Sequence, residues 1–407
     1  MKKRIILHID VNNAFLSWTA IDMLKKGHHY DIRNKYAIIG GSEKDRRGIV
    51  LAKSTPVKKL GIKTADTIYS ARKICPNLEI YPPNYKLYKY YSDLMFNYLS
   101  NYTNIIERYS IDECFLDYTN SQKLFGDPIK LAYTIKEDIK NKFGFTVNIG
   151  IGNNKLCAKM ASDFEKPDKI HTLFDGEIKE KMWPLPISDL FMIGKSTSKK
   201  LKELDINTIE DLATKDIDYL TKRFKKYGQL MWEYANGIDN SKVDYEYNDP
   251  KSISNSTSLP YDYTNLDDIL KVIKQLSIST ATKLRNKNLY TNSISIWIKY
   301  KDFRKISKQI TIENNNKQRI FGYMESDIID LAMLVGFINY LQNSNNNTFN
   351  KSFIGNLSII NPILKYLSKK EAENLLFYII KANIKNGILE ENIQMIYNEN
   401  YLLSKKA

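Results

Sequence analysis

The chain opens on a short alternation. In Arg4-Ile5-Ile6-Leu7-His8-Ile9-Asp10, Ile5, Leu7 and Ile9 fall on one face of an extended segment, and Ile6, His8 and Asp10 on the other. The run predicts a strand that delivers a carboxylate at its C-terminal end. A helical pattern follows Val11-Asn12-Asn13 and continues to Lys26. Gly48 to Ala52 predicts a strand, and Lys53 to Gly61 a loop with one helical turn. The tyrosine-rich stretch from Tyr81 to Tyr102 predicts a packed helix. In Tyr109-Ser110-Ile111-Asp112-Glu113-Cys114-Phe115-Leu116-Asp117, apolar and β-branched residues flank two acids, which predicts two strands meeting at a tight turn. Asp127 to Phe143 is helical in pattern. Val147, Ile149 and Ile151 then alternate with Asn148, Gly150 and Gly152, a strand with one nearly bare face that suits a close approach. Asn153 opens a helix that Glu165-Lys166-Pro167 ends.

The second half reads as a helical pair over 185–214, a linker over Tyr245–Lys251 and a helix over 265–285. Ile294, Ile296, Ile298 and Tyr300 then alternate with polar neighbours as a strand. A polar loop at Asn343–Asn347 precedes a last strand over Phe353–Ile359. Strand and helix patterns both recur along the chain. At 407 residues, two to four domains are expected.

Charge changes the picture. The net charge of +15 suggests a polyanionic partner, nucleic acid before membrane, because no amphipathic anchor stands out. From Lys283 to Lys308 there are eight basic residues against one acid, Asp302. The three cysteines are widely spaced and form no CxxC pair, which fits a reducing cytoplasm and neither a disulfide framework nor a zinc site. No stretch approaches the length of a membrane span. The apolar run behind Lys2, Lys3 and Arg4 is too short for a signal peptide, and no small-residue cleavage site follows it.

The candidate chemistry is carboxylate chemistry. Adjacent acids in an apolar setting cannot both stay ionised unless a cation neutralises them. Hard divalent cations take oxygen ligands, often one or two carboxylates plus substrate phosphates. A lone Asp-Glu pair is more often a solvated turn, but Asp10 at the end of the first strand answers to this one. Lys53, Lys58, Lys59, Ser54 and Thr55 could hold phosphates, or form a solvated surface turn.

Asp10, the Ser110-Ile111-Asp112-Glu113 hairpin, and Gly150-Ile151-Gly152, Asn154-Lys155, Ala158-Lys159, Ala161-Ser162 and Lys166-Pro167 stand in the order and spacing of Y-family DNA polymerases. These are lesion-bypass enzymes of the DNA polymerase IV and V type, and the chain resembles them over roughly residues 4–360. The resemblance implies an α+β fold built as a multi-domain right hand. Its ferredoxin-like palm is 1–17 and 80–170, its fingers 18–79, and its helix-hairpin-helix thumb 171–241. A linker at 242–252 and an α/β little finger at 253–362 follow, with a tail at 363–407 of no assigned role.

It further implies that Asp10, Asp112, Glu113 and the Val11 carbonyl hold two magnesium ions. By family position, Thr55, Lys58, Lys166 and the backbone of Asn13, Ala14 and Phe15 meet the incoming triphosphate. Thr55 and Lys58 depart from the tyrosine and arginine that many relatives carry, and lysine cannot make arginine's bidentate fork. Ile49 and Leu51 would roof the nascent base pair. Phe15 would be the steric gate that rejects a ribose 2′-hydroxyl. Gly194 and Lys195 in the thumb hairpin, and Lys299, Lys301, Arg304 and Lys305 in the little finger, would grip DNA backbone. The hairpin's usual Gly-Ile-Gly is here Met192-Ile193-Gly194.

The implied partners are primer–template DNA and deoxynucleoside triphosphates, with a monomeric protein expected. A sliding clamp is a further implied partner, although no clamp-binding peptide stands out in the tail. Low fidelity follows from the family and from the lack of a second acidic cluster that reads as a proofreading site. Two other readings fit parts of the chain. A nucleotide-cyclase-like enzyme uses a similar palm but needs neither thumb hairpin nor basic second unit. A non-catalytic DNA-binding scaffold would not need all three acids.

Overall fold

The computed structural model describes residues 3–43, 48–245, 249–263 and 265–311. The expected Asn343–Asn347 loop, the Phe353–Ile359 strand and the tail at 363–407 lie outside the described residues. The chain divides between Asp249 and Pro250 into two compact units.

The first unit starts with strand β1 (Ile6–Val11) and helix α1 (Ala14–Lys25). A small sheet follows, made of β2 (Ala37–Gly40), β3 (Val50–Lys53) and β4 (Glu79–Tyr81), with α2 (Thr55–Lys59) and α3 (Ile68–Ile74) beside it. Its order is β3-β2-β4. The chain returns through α4 (Tyr85–Leu99), β5 (Ile106–Arg108), β6 (Glu113–Asp117), α5 (Gln122–Phe125), α6 (Pro128–Phe143), β7 (Val147–Gly152), α7 (Lys155–Asp163) and β8 (Ile170–Leu173). These strands with β1 form a sheet of order β5-β6-β1-β7-β8, with β1 at its centre and antiparallel to both neighbours.

Local chemistry sets the boundaries. Asp127 caps α6 by accepting from the Ile129 and Lys130 amides, Pro128 sits at the first helical position, and Gly144 closes the helix in the left-handed region. Asn154 caps α7 through the Cys157 amide. The tyrosines of α4 divide as expected of a packed helix: Tyr88 and Tyr91 are buried, whereas Tyr85 and Tyr90 are exposed.

The alternation in β1 distributes two cores. Leu7, Ile9 and Val11 join Trp18, Met95, Ile135 and Ile139 in the main core. On the other face, Ile6 meets Phe115 and Ala158. Each fully buried aliphatic side chain contributes about 1.5–3 kcal/mol. The bare face of β7 has its occupant within the chain. A Cβ at Gly150 would overlap the Ala158 carbonyl and the Ser162 amide, so the glycine lets α7 lie directly on the sheet.

The unit continues with α8 (Lys195–Lys202), α9 (Ile209–Ala213), α10 (Ile217–Phe224) and α11 (Lys226–Ala235). Leu201, Ile206, Ile209, Leu212, Leu220 and Met231 make their core, which also takes in Leu156 and Met160 of α7. A reciprocal cap between Thr208 and Asp211 starts α9.

In the second unit, α12 (Leu266–Arg285) precedes an antiparallel hairpin of β9 (Ser293–Lys299) and β10 (Lys305–Thr311). Ile294, Ile296 and Ile298 are half-buried, and Ser295, Trp297 and Lys299 between them are exposed.

Candidate active site

The strand register brings the acids to one end of the sheet. Asp10 lies directly opposite Glu113 across the β1–β6 pair. The Val11 amide donates to the Asp112 carbonyl at 3.0 Å, which ties the turn to the end of β1. Ser110 holds that turn: its hydroxyl donates to Asp112 Oδ1 at 2.7 Å and accepts from the Asp112 and Glu113 amides at 3.2 and 3.0 Å. The Ser-x-Asp-Glu sequence is thus a self-locked turn.

Asp10 is only 6 % exposed, and burial pushes its carboxyl above the ordinary value. The Lys166 ammonium sits against Asp10 Oδ2 and also contacts Asp163 at 2.7 Å. Glu113 behaves differently. Burial opposes its ionisation, but the neighbouring His8 ring and the Lys159 charge outweigh burial and hold the carboxyl below its ordinary value. Lys159 Nζ lies 3.1 Å from Glu113 Oε2, and His8 Nε2 lies 3.4 Å from the same oxygen.

The donor set fits a hard divalent cation. It offers oxygen ligands only, from carboxylates buried enough to need a cation, and ammonium groups fill that need in the structure. Among the described residues, no three acidic, histidine or cysteine side chains form one metal-binding group. The register gathers the acids without closing a coordination shell.

Other predicted residues lie on α1, β3 and α2. Asn13 starts α1 in the left-handed region, and its side-chain Nδ2 donates to the Lys53 carbonyl. The backbone of Asn13, Ala14 and Phe15 is therefore a helix N-terminus, a setting that favours anions. Phe15 is half-buried and stacks on Tyr88, with centroids 4.4 Å apart and planes 6° apart. It borders the same small core as Leu51. Ile49 lies just ahead of β3, bridged to Thr67 and exposed. Thr55 and Lys58 lie exposed on α2. Ser54 is committed elsewhere: it is fully buried, caps α2 and donates to the Lys35 carbonyl at 2.6 Å.

Lys166 stands on a loop fixed from below by residues that carry no signal in the sequence. Asn12 Oδ1 accepts from the Asp168 amide at 2.9 Å, and Asn148 Nδ2 donates to the Ser162 and Glu165 carbonyls at 3.0 and 2.6 Å. Lys136 and Lys140 hold the Asp168 carboxylate at 3.1 and 2.9 Å. His8 and Lys159 are likewise site residues that the sequence reading misses. For His8 a signal exists in its polarity: it is a histidine within an apolar strand, two residues from Asp10 and on the same face.

Gly194 and Lys195 open α8 beside a surface groove also lined by Ser188, Ile193, Ser198 and Lys199. Met192 takes a φ of 73°, the left-handed region, where the resembled motif has glycine. Lys299, Lys301, Arg304 and Lys305 are exposed on or next to the β9–β10 turn. Aromatic rings lie among them, with Lys299 4.2 Å from the Phe303 centroid and Lys305 5.5 Å from that of Trp297.

Residues 9–163 match the impB/mucB/samB family, residues 175–206 its HHH motif and residues 250–330 its C-terminal domain. The chain belongs to this family, that of the Y-family DNA polymerases. It is 50% identical over 311 residues to a DNA polymerase IV of Clostridium acetobutylicum, covering 76% of this chain and 78% of that one. A DNA polymerase IV of Acetivibrio thermocellus is 38% identical over 315 residues, covering 76% and 77%. Among solved structures, a Y-family DNA polymerase chimera of Dbh and Dpo4 superposes with a TM-score of 0.71 at 23% identity, over 83% of this chain and 94% of that one. DinB from Sulfolobus solfataricus gives 0.56 at 24%, over 81% and 94%. These two likenesses show the α+β fold. Among the described residues, no helix is long and apolar enough to cross a membrane.

Proposed function

We propose that this DNA polymerase carries out template-directed, low-fidelity translesion synthesis, adding deoxynucleotides to a primer without proofreading. The observation that carries the reading is the register that sets Asp10 against Glu113 and ties Val11 to Asp112 at a buried strand end. Two magnesium ions, held by Asp10, Asp112, Glu113 and the Val11 carbonyl, would supply Lewis-acid stabilisation of the attacking and leaving oxygens.

The chain's own residues do the positioning, which is most of what phosphoryl transfer asks of a protein. Lys166 leaves Asp10 when the triphosphate arrives and follows the phosphate charge instead. The amides of Asn13, Ala14 and Phe15 face the same phosphates, with Lys58 and Thr55 beside them. Phe15, backed by Tyr88, closes the space next to the sugar C2′. Ile49 and Leu51 cover the nascent pair.

In this reading 1–17 and 80–170 form the palm, 18–79 the fingers, 171–241 the thumb and 253–362 the little finger. Gly194, Lys195 and the basic β9–β10 hairpin hold DNA by its phosphates, which makes binding independent of sequence. The test is primer extension by the purified chain with magnesium and each deoxynucleotide, on intact and abasic templates. Template-matched addition on the intact strand and continued addition across the abasic site are expected. Untemplated addition, or none at all, would overturn the reading.

A further inference from the structure

His8 and Ser162 are both fully buried, and the reaction as derived above uses neither. His8 sits in β1 opposite Phe115 on one side and Gly150 on the other. The close seat of α7 over Gly150 brings Ser162 Oγ to 2.8 Å from His8 Nδ1. The other ring nitrogen, Nε2, is buried and makes no hydrogen bond. It faces Glu113 Oε2 at 3.4 Å, slightly beyond hydrogen-bond reach.

Buried polar atoms are nearly always paired, so an orphan beside a catalytic carboxylate calls for an explanation. The facing carboxylate decides the tautomer. A neutral imidazole has one N–H, and facing a carboxylate that hydrogen belongs on Nε2. Nδ1 is then an acceptor, and the single Ser162 hydroxyl hydrogen turns to it from the Lys159 carbonyl, which lies 2.8 Å from the same oxygen. His8 and Lys159 both approach Oε2, so Oε1 carries neither contact.

We propose that Ser162 and His8 form a relay that positions the Glu113 carboxylate, directing one oxygen toward the protein and the other toward the metal. His8 is a positioning residue, acting on the metal only through Glu113. The inference rests on Glu113 being a metal ligand. Groups that orient ligands in this way typically change metal affinity 10–100-fold when removed.

The test titrates manganese into the full chain bound to primer–template and reads free Mn²⁺ by electron paramagnetic resonance, with DNA alone subtracted. Glu113→Gln defines the Glu113-dependent binding. His8→Phe keeps a ring against Phe115 and deletes both nitrogens, whereas His8→Gln can restore a donor near Nε2. Expected are a roughly tenfold loss of Mn²⁺ affinity in His8→Phe and in Ser162→Ala, recovery in His8→Gln, and a double variant no worse than His8→Phe. Unchanged Mn²⁺ affinity in both His8→Phe and Ser162→Ala, with Glu113→Gln impaired, overturns the relay alone. Equal impairment of His8→Phe and His8→Gln reduces His8 to packing and also overturns it. If His8→Phe fails to fold, Ser162→Ala, which removes one oxygen, decides. Wild-type affinity in Glu113→Gln overturns the metal assignment and the relay with it.

Discussion

The strand end that carries Asp10 and the hairpin that carries Lys299 spend charge in opposite ways. Around Asp10 and Glu113 charge meets charge: Lys166 holds Asp10, Lys159 and His8 both approach Glu113 Oε2, and Asp163 contacts the two lysines in turn. In the β9–β10 hairpin, Lys299 and Lys305 are exposed and lie over aromatic rings, and Arg304 pairs with Asp302. Buried charge needs fixed partners, because removing one leaves the other unsolvated. Exposed charge has water and salt as partners, and its attraction acts at longer range and falls with ionic strength. The difference teaches that chemistry is built where geometry is over-determined, and grip where it is loose. A single substitution should therefore be decisive in the first region and graded in the second.

The largest effect is expected at the acids. Asp112→Asn or Glu113→Gln should lower nucleotide addition by roughly 10³-fold or more, the scale of losing transition-state charge stabilisation. Primer–template affinity should hardly change, since phosphate contacts elsewhere supply it. Rapid-quench extension beside equilibrium DNA binding separates the two. Extension at near wild-type rate would erase the contrast.

Phe15 stands between the two regimes. As a steric gate, Phe15→Ala should raise ribonucleotide use relative to deoxynucleotide use by one to three orders of magnitude, about 1.4–4 kcal/mol of discrimination. Its stack on Tyr88 sharpens the alternative, because a ring that only packs would cost about 3–5 kcal/mol of stability on truncation. All activities would then fall together. The ratio of kcat/KM for a ribo- and a deoxynucleotide, measured with the melting temperature, tells gate from packing.

The graded region comes next. Replacing Lys299, Lys301 and Lys305 by glutamine should weaken DNA binding alike on unrelated sequences. The slope of log affinity against log salt should flatten by up to about one unit for each phosphate that the variant no longer neutralises. A salt slope that stays put would mean that the hairpin does not lie on DNA.

Much of this was legible from residue order. The alternation in Ile5–Asp10 predicts a strand ending in an acid, and β1 spans Ile6–Val11. The turn at Asp112 could be read because serine, β-branched and apolar residues bracket it. The occupant of the β7 glycine face could not be read. Two glycines announce a close approach without naming what approaches, and α7 is the answer. The acids that Lys159 and Lys166 pair with were illegible for a similar reason, although both lysines stand in the motif order. Lys159 and Lys166 lie far along the chain from the acids they meet, and only the β1–β7 pairing with α7 packed on it brings them there. Ser54 misled, since a hydroxyl among lysines suggests phosphate, whereas this one is buried under its own helix.

The smallest effect is expected at Met192, where local geometry and sequence disagree. A non-glycine residue in the left-handed region costs about 1–2 kcal/mol. Met192 accepts that cost at φ 73° with its side chain exposed, while its carbonyl takes the Tyr227 hydroxyl at 2.6 Å. Met192→Gly removes the strain but gives the unfolded chain more freedom, worth about 0.4–1 kcal/mol in the other direction. The net should be a gain of up to about 1.6 kcal/mol in unfolding free energy. Met192→Val should lose stability, because a β-branched side chain is worse at positive φ. Denaturant melts of the three proteins should order them Gly, Met, Val. If glycine also tightens DNA binding at fixed salt, the methionine side chain was holding the hairpin amides off the phosphate. If affinity is unchanged, the Gly194 and Lys195 amides at the start of α8 suffice without a second glycine.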